Sequence, residues 1–210
     1  MLNIWGRISS INVRKVVWCA QELGLDFQRT EAGGKHGVVQ SPEYLAMNPN
    51  AMVPTLSDDD GFVLWESNVI VRYLCARHWT RQLYPEQLQE RFDAERWMDW
   101  QQTTLNRASV GAFLQLVRTP PAERSAEAIA QSVAATEPLM AMLDAHLATR
   151  PFMAGERFTM ADIPIGCEVH RWFGLPPAGH QRPAWPHLER WFAGVQARAG
   201  ARGVLDQALE

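Results

Sequence analysis

Apolar positions fall into two regimes along this chain. Up to about residue 80 they come in short runs separated by turns, and beyond Tyr84-Pro85 they recur at helical spacing over long stretches. Leu2-Asn3-Ile4-Trp5 reads as a first strand. Val13, Val16, Val17, Ala20 and Leu23 then share one helix face, with Ser10 or Asn12 at its start and Gly24 ending it in a left-handed conformation. Residues 27–31 read as a second strand, so a helix joins two strands, which implies a parallel pair with a right-handed crossover. Residues 42–47 form a short helical pattern. Two apolar runs, 53–56 and 62–65, flank Asp58-Asp59-Asp60-Gly61, a hairpin signal because Gly takes the positive φ such turns need. A further helix follows, with Ser67 as the expected N-cap. The order β-α-β-α-β-β-α predicts an α/β layer on a mixed sheet.

The second regime is all helical. Residues 86–117 form one long pattern, with Phe92, Trp97, Trp100, Leu105, Phe113 and Leu116 among its apolar positions, and Thr119-Pro120-Pro121 breaks it. Residues 125–149 form a second, in which Pro138 predicts a kink or local break. Thr159-Met160-Ala161-Asp162 has the form of a capping box, with Phe158 and Ile163 placed as its hydrophobic staple. That helix runs to about Gly174, a Pro/Gly loop spans 175–185, and a last helix covers 186–198. The predicted division is an α/β unit over residues 1–80 and an all-helical unit over residues 86–210.

Composition narrows the function classes. At 47% hydrophobic, the 210 residues suffice for a sizeable core. A net charge of −3, unpolarised between the two parts, offers no electrostatic case for nucleic acid and no basic run for a membrane surface. No apolar run is long enough to span a membrane, and MLNIWGRISS lacks the pattern of a signal peptide. Cys19, Cys75 and Cys167 are widely spaced in apolar helical patterns and read as buried, reduced thiols of a cytoplasmic protein, not metal ligands. Gly33-Gly34-Lys35-His36-Gly37 reads as a loop without the glycine spacing of a nucleotide site.

Two features carry candidate chemistry. Val53-Pro54 puts a proline ahead of a strand; if that bond is cis, the Val53 N–H and C=O are free to pair with an extended ligand. Glu66-Ser67 at a helix start offers a carboxylate for a cation beside N–H groups and a hydroxyl for an anion, which suits a ligand carrying an ammonium next to a carboxylate.

The α/β unit resembles a thioredoxin-like domain. With the helical unit behind it, and with LAMNPNAMVPTL and LWESNVIVRYL, the chain resembles the cytosolic glutathione transferases over nearly its whole length. The resemblance implies a thioredoxin-like N-terminal domain followed by an all-α C-terminal domain, a homodimer, glutathione as co-substrate and no metal. SSINVRKV resembles the serine-type site of theta and delta classes and bacterial relatives, implying Ser10 as the thiolate-activating hydroxyl, with Ser9 one position early and Asn12 beside it. No tyrosine precedes residue 44, which excludes a tyrosine-type site in the first loop. Val53, Pro54, Glu66 and Ser67 are implied to bind glutathione. The sequence departs from the family where basic residues hold the glycine carboxylate, reading Val39-Gln40 and Asn50-Ala51-Met52; Lys35, His36, Gln40 and Arg14 remain as candidates. The expected reaction is attack by glutathione thiolate on a small electrophile, the alternatives being glutathione-dependent disulfide reduction or ligand binding without catalysis. Thr104, Arg107 and Trp172 are the expected electrophile-site residues.

Overall fold

A computed structural model describes residues 1–78, 83–177 and 182–210. Strands β1 (Leu2–Trp5), β2 (Phe27–Thr30), β3 (Thr55–Ser57) and β4 (Val63–Trp65) form one sheet in the order β2-β1-β3-β4. β1 runs parallel to β2 and antiparallel to β3, and β3 and β4 make the expected hairpin. Helices α1 (Ile11–Glu22), α2 (Pro42–Met47) and α3 (Ser67–Arg77) complete the thioredoxin-like layer. Gly61 closes the hairpin at φ +85° and Gly24 ends α1 at φ +65°, both at the positions the turn chemistry requires.

The all-helical domain follows. Residues 88–118 trace one helical path, but not a uniform one: α4 (Leu88–Trp100) and α5 (Asn106–Phe113) are separated and followed by π-helical turns at Gln101–Leu105 and Leu114–Arg118. α6 (Ala126–Leu147) starts on Ser125, whose hydroxyl accepts from the Ala128 N–H at 3.2 Å. The expected break at Pro138 is absent, and α6 runs through it. Ala134, whose carbonyl loses its amide partner to the proline, is exposed with Pro138, so water can satisfy the freed oxygen. α7 (Asp162–Phe173) and α8 (Pro186–Gln196) finish the bundle, and the middle of the expected 175–185 loop, like the end of the expected 1–80 unit, lies outside the described residues.

α1 is the helix both domains share. Eight consecutive residues, Val13 to Ala20, are buried, because α3 covers one side while α7 and the turn at Ala199–Ala201 cover the other. A helix buried all round has no solvent face for its charges, so Arg14 and Lys15 each need partners from the chain, described below.

The Thr159–Asp162 turn is tied as a box, with one change of partner. The Asp162 carboxylate accepts from the Thr159 N–H at 2.8 Å, while the Thr159 hydroxyl accepts from the Ala161 N–H at 3.3 Å. Thr159→Ala is expected to lower stability by about 0.5–2 kcal/mol and leave activity intact; full stability with lost activity in that variant would reverse the assignment.

Candidate functional site

The first loop and two helix starts build the site. The Tyr44 hydroxyl meets the Met52 carbonyl at 2.7 Å and the Thr55 hydroxyl at 2.8 Å, and the Asn48 amide donates to the same two oxygens. This frame fixes residues 52–55, and the Val53-Pro54 peptide within it is cis. Among the described residues the Val53 N–H and C=O make no hydrogen bond within the protein. The frame and the start of α3 enclose a cleft of about 150 Å³, walled by Asn12, Val53, Pro54, Glu66, Ser67 and Gln102 among others.

Ser67 is the first residue of α3, not its N-cap as the sequence pattern predicts; Glu66 takes the cap position. Its carbonyl accepts the Ile70 N–H at 2.9 Å while its own backbone sits at φ +72°, a conformation that strains a residue with a Cβ. The turn leaves the Glu66 carboxylate exposed at the mouth of the cleft. The Ser67 hydroxyl donates to Asn12 Oδ1 at 3.3 Å, joining the starts of α3 and α1.

Ser10 is the N-cap residue of α1, with an extended backbone and no hydrogen bond from its side chain to the helix. A capping serine normally spends its hydroxyl on the second or third helical N–H, so here the hydroxyl is left for another partner. No acidic residue stands in the first turn of α1, and its N-terminal partial charge is therefore uncompensated. Ser9, Ser10 and Asn12 face a second cleft of about 310 Å³ whose far wall comes from α5 and α7. Asn12 and Met52 line both clefts, which makes the first turn of α1 their common boundary.

The expected far-wall residues are not the observed ones. Thr104 and Arg107 are exposed and line neither cleft; Asn106, Val110, Phe113 and Leu114 present the wall instead. Trp172 lines a separate apolar cavity with Leu116, Val133 and Phe173, while Cys167, His170 and Arg171, on another face of α7, line the site. Gln40 is exposed and lines neither cleft. Lys35 and His36 lie exposed in a short 3₁₀ turn, with His36 3.6 Å from Glu31. Arg14 lines the larger cleft, but its guanidinium is committed to the Ile8 carbonyl at 2.9 Å, His170 Nδ1 at 3.0 Å and the Ala208 carbonyl at 2.8 Å. Three arginines that the sequence does not single out, Arg7, Arg118 and Arg171, also line it; nothing local to any of them in the sequence marks them.

Behind the clefts runs a buried polar chain. Lys15 Nζ donates to Gln101 Oε1 at 2.7 Å and Gln102 Oε1 at 3.0 Å, and Gln101 Nε2 donates to Glu168 Oε2 at 2.7 Å. Glu168 also accepts from Ser109 Oγ at 2.6 Å and pairs with Arg171. Burial pushes Lys15 down to about 8, opposed by the nearby Glu168 charge. From there to 10.5, its ordinary value, the unfolded chain keeps a proton the folded protein has released, so stability rises with pH across that window. The wild type is therefore expected to gain on the order of 3 kcal/mol over Lys15→Met between about pH 8 and pH 10.5. Denaturant midpoints of the two proteins check this, and midpoints that stay parallel across the window refute it.

Among the described residues no cluster of His, Cys, Asp or Glu is placed to hold a metal ion, and no helix is long and apolar enough to cross a membrane. Residues 9–77 match the family described as glutathione S-transferase, N-terminal domain, and residues 126–194 match glutathione S-transferase, C-terminal domain. Glutathione S-transferase GstB of Escherichia coli K12 is 39% identical over 206 residues, 98% of each chain. The theta class glutathione S-transferase of Xanthomonas axonopodis pv. citri, solved with glutathione bound, superposes with a TM-score of 0.94 at 43% identity, covering 100% of this chain and 99% of that one. Glutathione transferase F7 of Populus trichocarpa shares the fold at a TM-score of 0.85 and 23% identity, over 97% of each chain.

Proposed function

Because this chain belongs to the glutathione S-transferase family, we propose that it activates the thiol of glutathione through Ser10 for attack on a small electrophile held in the larger cleft. The uncommitted Ser10 hydroxyl, at the start of α1 and facing that cleft, is the observation that carries the reading. A free thiol of pKa about 8.5 is mostly protonated at neutral pH, and only the thiolate is reactive. Ser10 donates a hydrogen bond to the sulfur, which favours the charged form, and the α1 N-terminus adds positive potential at the same place. A charge-assisted hydrogen bond of about 1.5–3 kcal/mol lowers the thiol pKa by about one to two, at about 1.4 kcal/mol each.

The smaller cleft takes glutathione. Val53, with its N–H and C=O unspent beside Pro54, pairs with the peptide backbone of the ligand; Ser67 and the N–H groups at the start of α3 take the γ-glutamyl carboxylate, and Glu66 takes its ammonium. Asn12, at the boundary of the two clefts, positions the sulfur side of the ligand. Residues 1–80 then act as the glutathione-binding domain and residues 86–210 as the domain that walls the electrophile site, a division that the two family matches support. The protein works as a cytoplasmic homodimer on this reading, as is typical of the family.

Two assays with glutathione test it, one with a neutral aryl halide and one with a small hydroxyalkyl disulfide. Turnover of the aryl halide is the expected result. Turnover of the disulfide alone would reassign the enzyme to disulfide reduction, and glutathione binding with turnover of neither would make the protein a binder only.

A further inference from the structure

The larger cleft is positively charged although the chain as a whole carries a net charge of −3. Four arginines line it, Arg7, Arg14, Arg118 and Arg171, against one acidic residue, Glu210. Three of the four are committed. Arg14 is spent on carbonyl oxygens and His170, and Arg171 is paired with the buried Glu168. Arg118 donates from Nε and Nη2 to the main-chain oxygen of Glu210 at 3.1 and 3.0 Å and lies over the Phe113 ring at 4.9 Å. Burial pushes Arg118 down from its ordinary value, and the fields of Arg7 and Arg171 push the same way. His170 adds no charge at neutral pH, since burial and the Arg14 charge push it down to about 4.

Arg7 is different. Among the described residues its guanidinium makes no hydrogen bond and no ion pair, yet it is half buried. Its place is built by the Gly33-Gly34 pair. A Cβ on Gly33 would stand 3.1 Å from Arg7 Nη1, and one on Gly34 3.1 Å from Arg7 Nε. Both glycines have positive φ and approach the guanidinium closely, an approach a side chain at either position would obstruct. A half-buried cation without a counter-charge, in a cleft whose other cations are engaged, favours an anionic ligand.

We infer that the electrophile of this enzyme carries a carboxylate, which Arg7 binds through its guanidinium fork while the carbon skeleton rests on Val110, Phe113 and Leu114. The inference rests on the transferase reading above and names its substrate class. An Arg fork matches a carboxylate with two parallel hydrogen bonds, and about 310 Å³ admits a molecule of roughly one substituted ring. In the reaction the glutathione sulfur forms a C–S bond at the carbon bearing the leaving group. The carbon–halogen bond breaks, the halide leaves with the bonding pair, and the thiol proton goes to water.

The test uses 4-chloro-3,5-dinitrobenzoate and its neutral amide, with rates taken relative to the uncatalysed reactions. The wild type is expected to prefer the benzoate, and Arg7→Gln to reduce that preference about 10- to 100-fold, the worth of one charge-assisted hydrogen bond. Arg7→Lys should restore part of it. Binding of 3,5-dinitrobenzoate, which has no leaving group, is measured by tryptophan fluorescence in the presence of S-methylglutathione. It should weaken by the same factor in Arg7→Gln. Turnover of the amide with no preference for the benzoate would overturn the inference while leaving the transferase reading intact. Turnover of neither compound would count against the transferase reading, and the fluorescence titration would still decide the anion site. A glutathione KM that rises in Arg7→Gln while the benzoate preference stays would also overturn it, assigning Arg7 to the glycine carboxylate of glutathione.

Discussion

Ser10→Ala is expected to lower kcat/KM for an aryl halide at neutral pH by about 10- to 100-fold and to move the pH–rate profile upward by about one to two pH units. The sign follows from what the hydroxyl stabilises. In its proposed role it favours the thiolate over the thiol, so its removal should raise the thiol pKa and leave less nucleophile at a given pH. Above the raised pKa the loss should shrink, because the thiolate then forms without help. Glutathione affinity should change little, since in the proposed binding mode Val53 and the start of α3 hold the rest of the tripeptide. Stability should also change little, because the Ser10 side chain makes no capping bond that alanine would lose. A profile that does not move would take the role from Ser10, and the same measurement on Ser9→Ala would show whether its neighbour holds it.

The largest effect on stability is expected at Asp162. Its carboxylate is fully buried and accepts four hydrogen bonds, from the Met153 N–H at 2.9 Å, Trp191 Nε1 at 2.9 Å, and the Thr159 N–H and hydroxyl at 2.8 and 3.4 Å. It thereby ties the start of α7 to the loop after α6 and to the middle of α8. Asp162→Asn replaces one acceptor oxygen with an NH₂ group aimed at donors, which leaves buried N–H groups unpaired. Each costs about 1–3 kcal/mol, and the sum is expected to be about 3–5 kcal/mol, well beyond Thr159→Ala. A denaturant midpoint measures it. A loss below about 1 kcal/mol would mean that water reaches these donors.

The alternation of strands and helices was legible because each element carries its own punctuation. Asp58 to Gly61, Gly24 and the Pro42 start mark boundaries that local backbone chemistry enforces wherever they stand. The starts of α1 and α3 were legible for the same reason, with Ser67 off by one position because Glu66 accepts a strained backbone and takes the cap. The far wall of the cleft was not. Choosing Thr104 and Arg107 assumes one unbroken helix, but the π turn at Gln101–Leu105 inserts a wider turn and rotates the face that follows it. On α7 the error was of face alone, Trp172 in place of its neighbour Arg171. Arg7 and Arg118 stand 111 positions apart, and only the packed domains bring them to one cleft.

The polar chain from Lys15 through Gln101 to Glu168 also bears on how such a protein can be recombined. Lys15 belongs to the thioredoxin-like N-terminal domain and its acceptors to the helical one. A chimera that joins residues 1–80 to the helical domain of a relative inherits a buried ammonium, and without amide oxygens at positions 101 and 102 that charge is stranded. In the reverse exchange Gln101 loses its donor wherever the incoming first helix carries no lysine at position 15. Domain shuffling between this chain and its relatives is thus restricted to partners that carry the matching residues on both sides of the boundary, or to grafts that transplant α1 together with the turn at Gln101–Leu105.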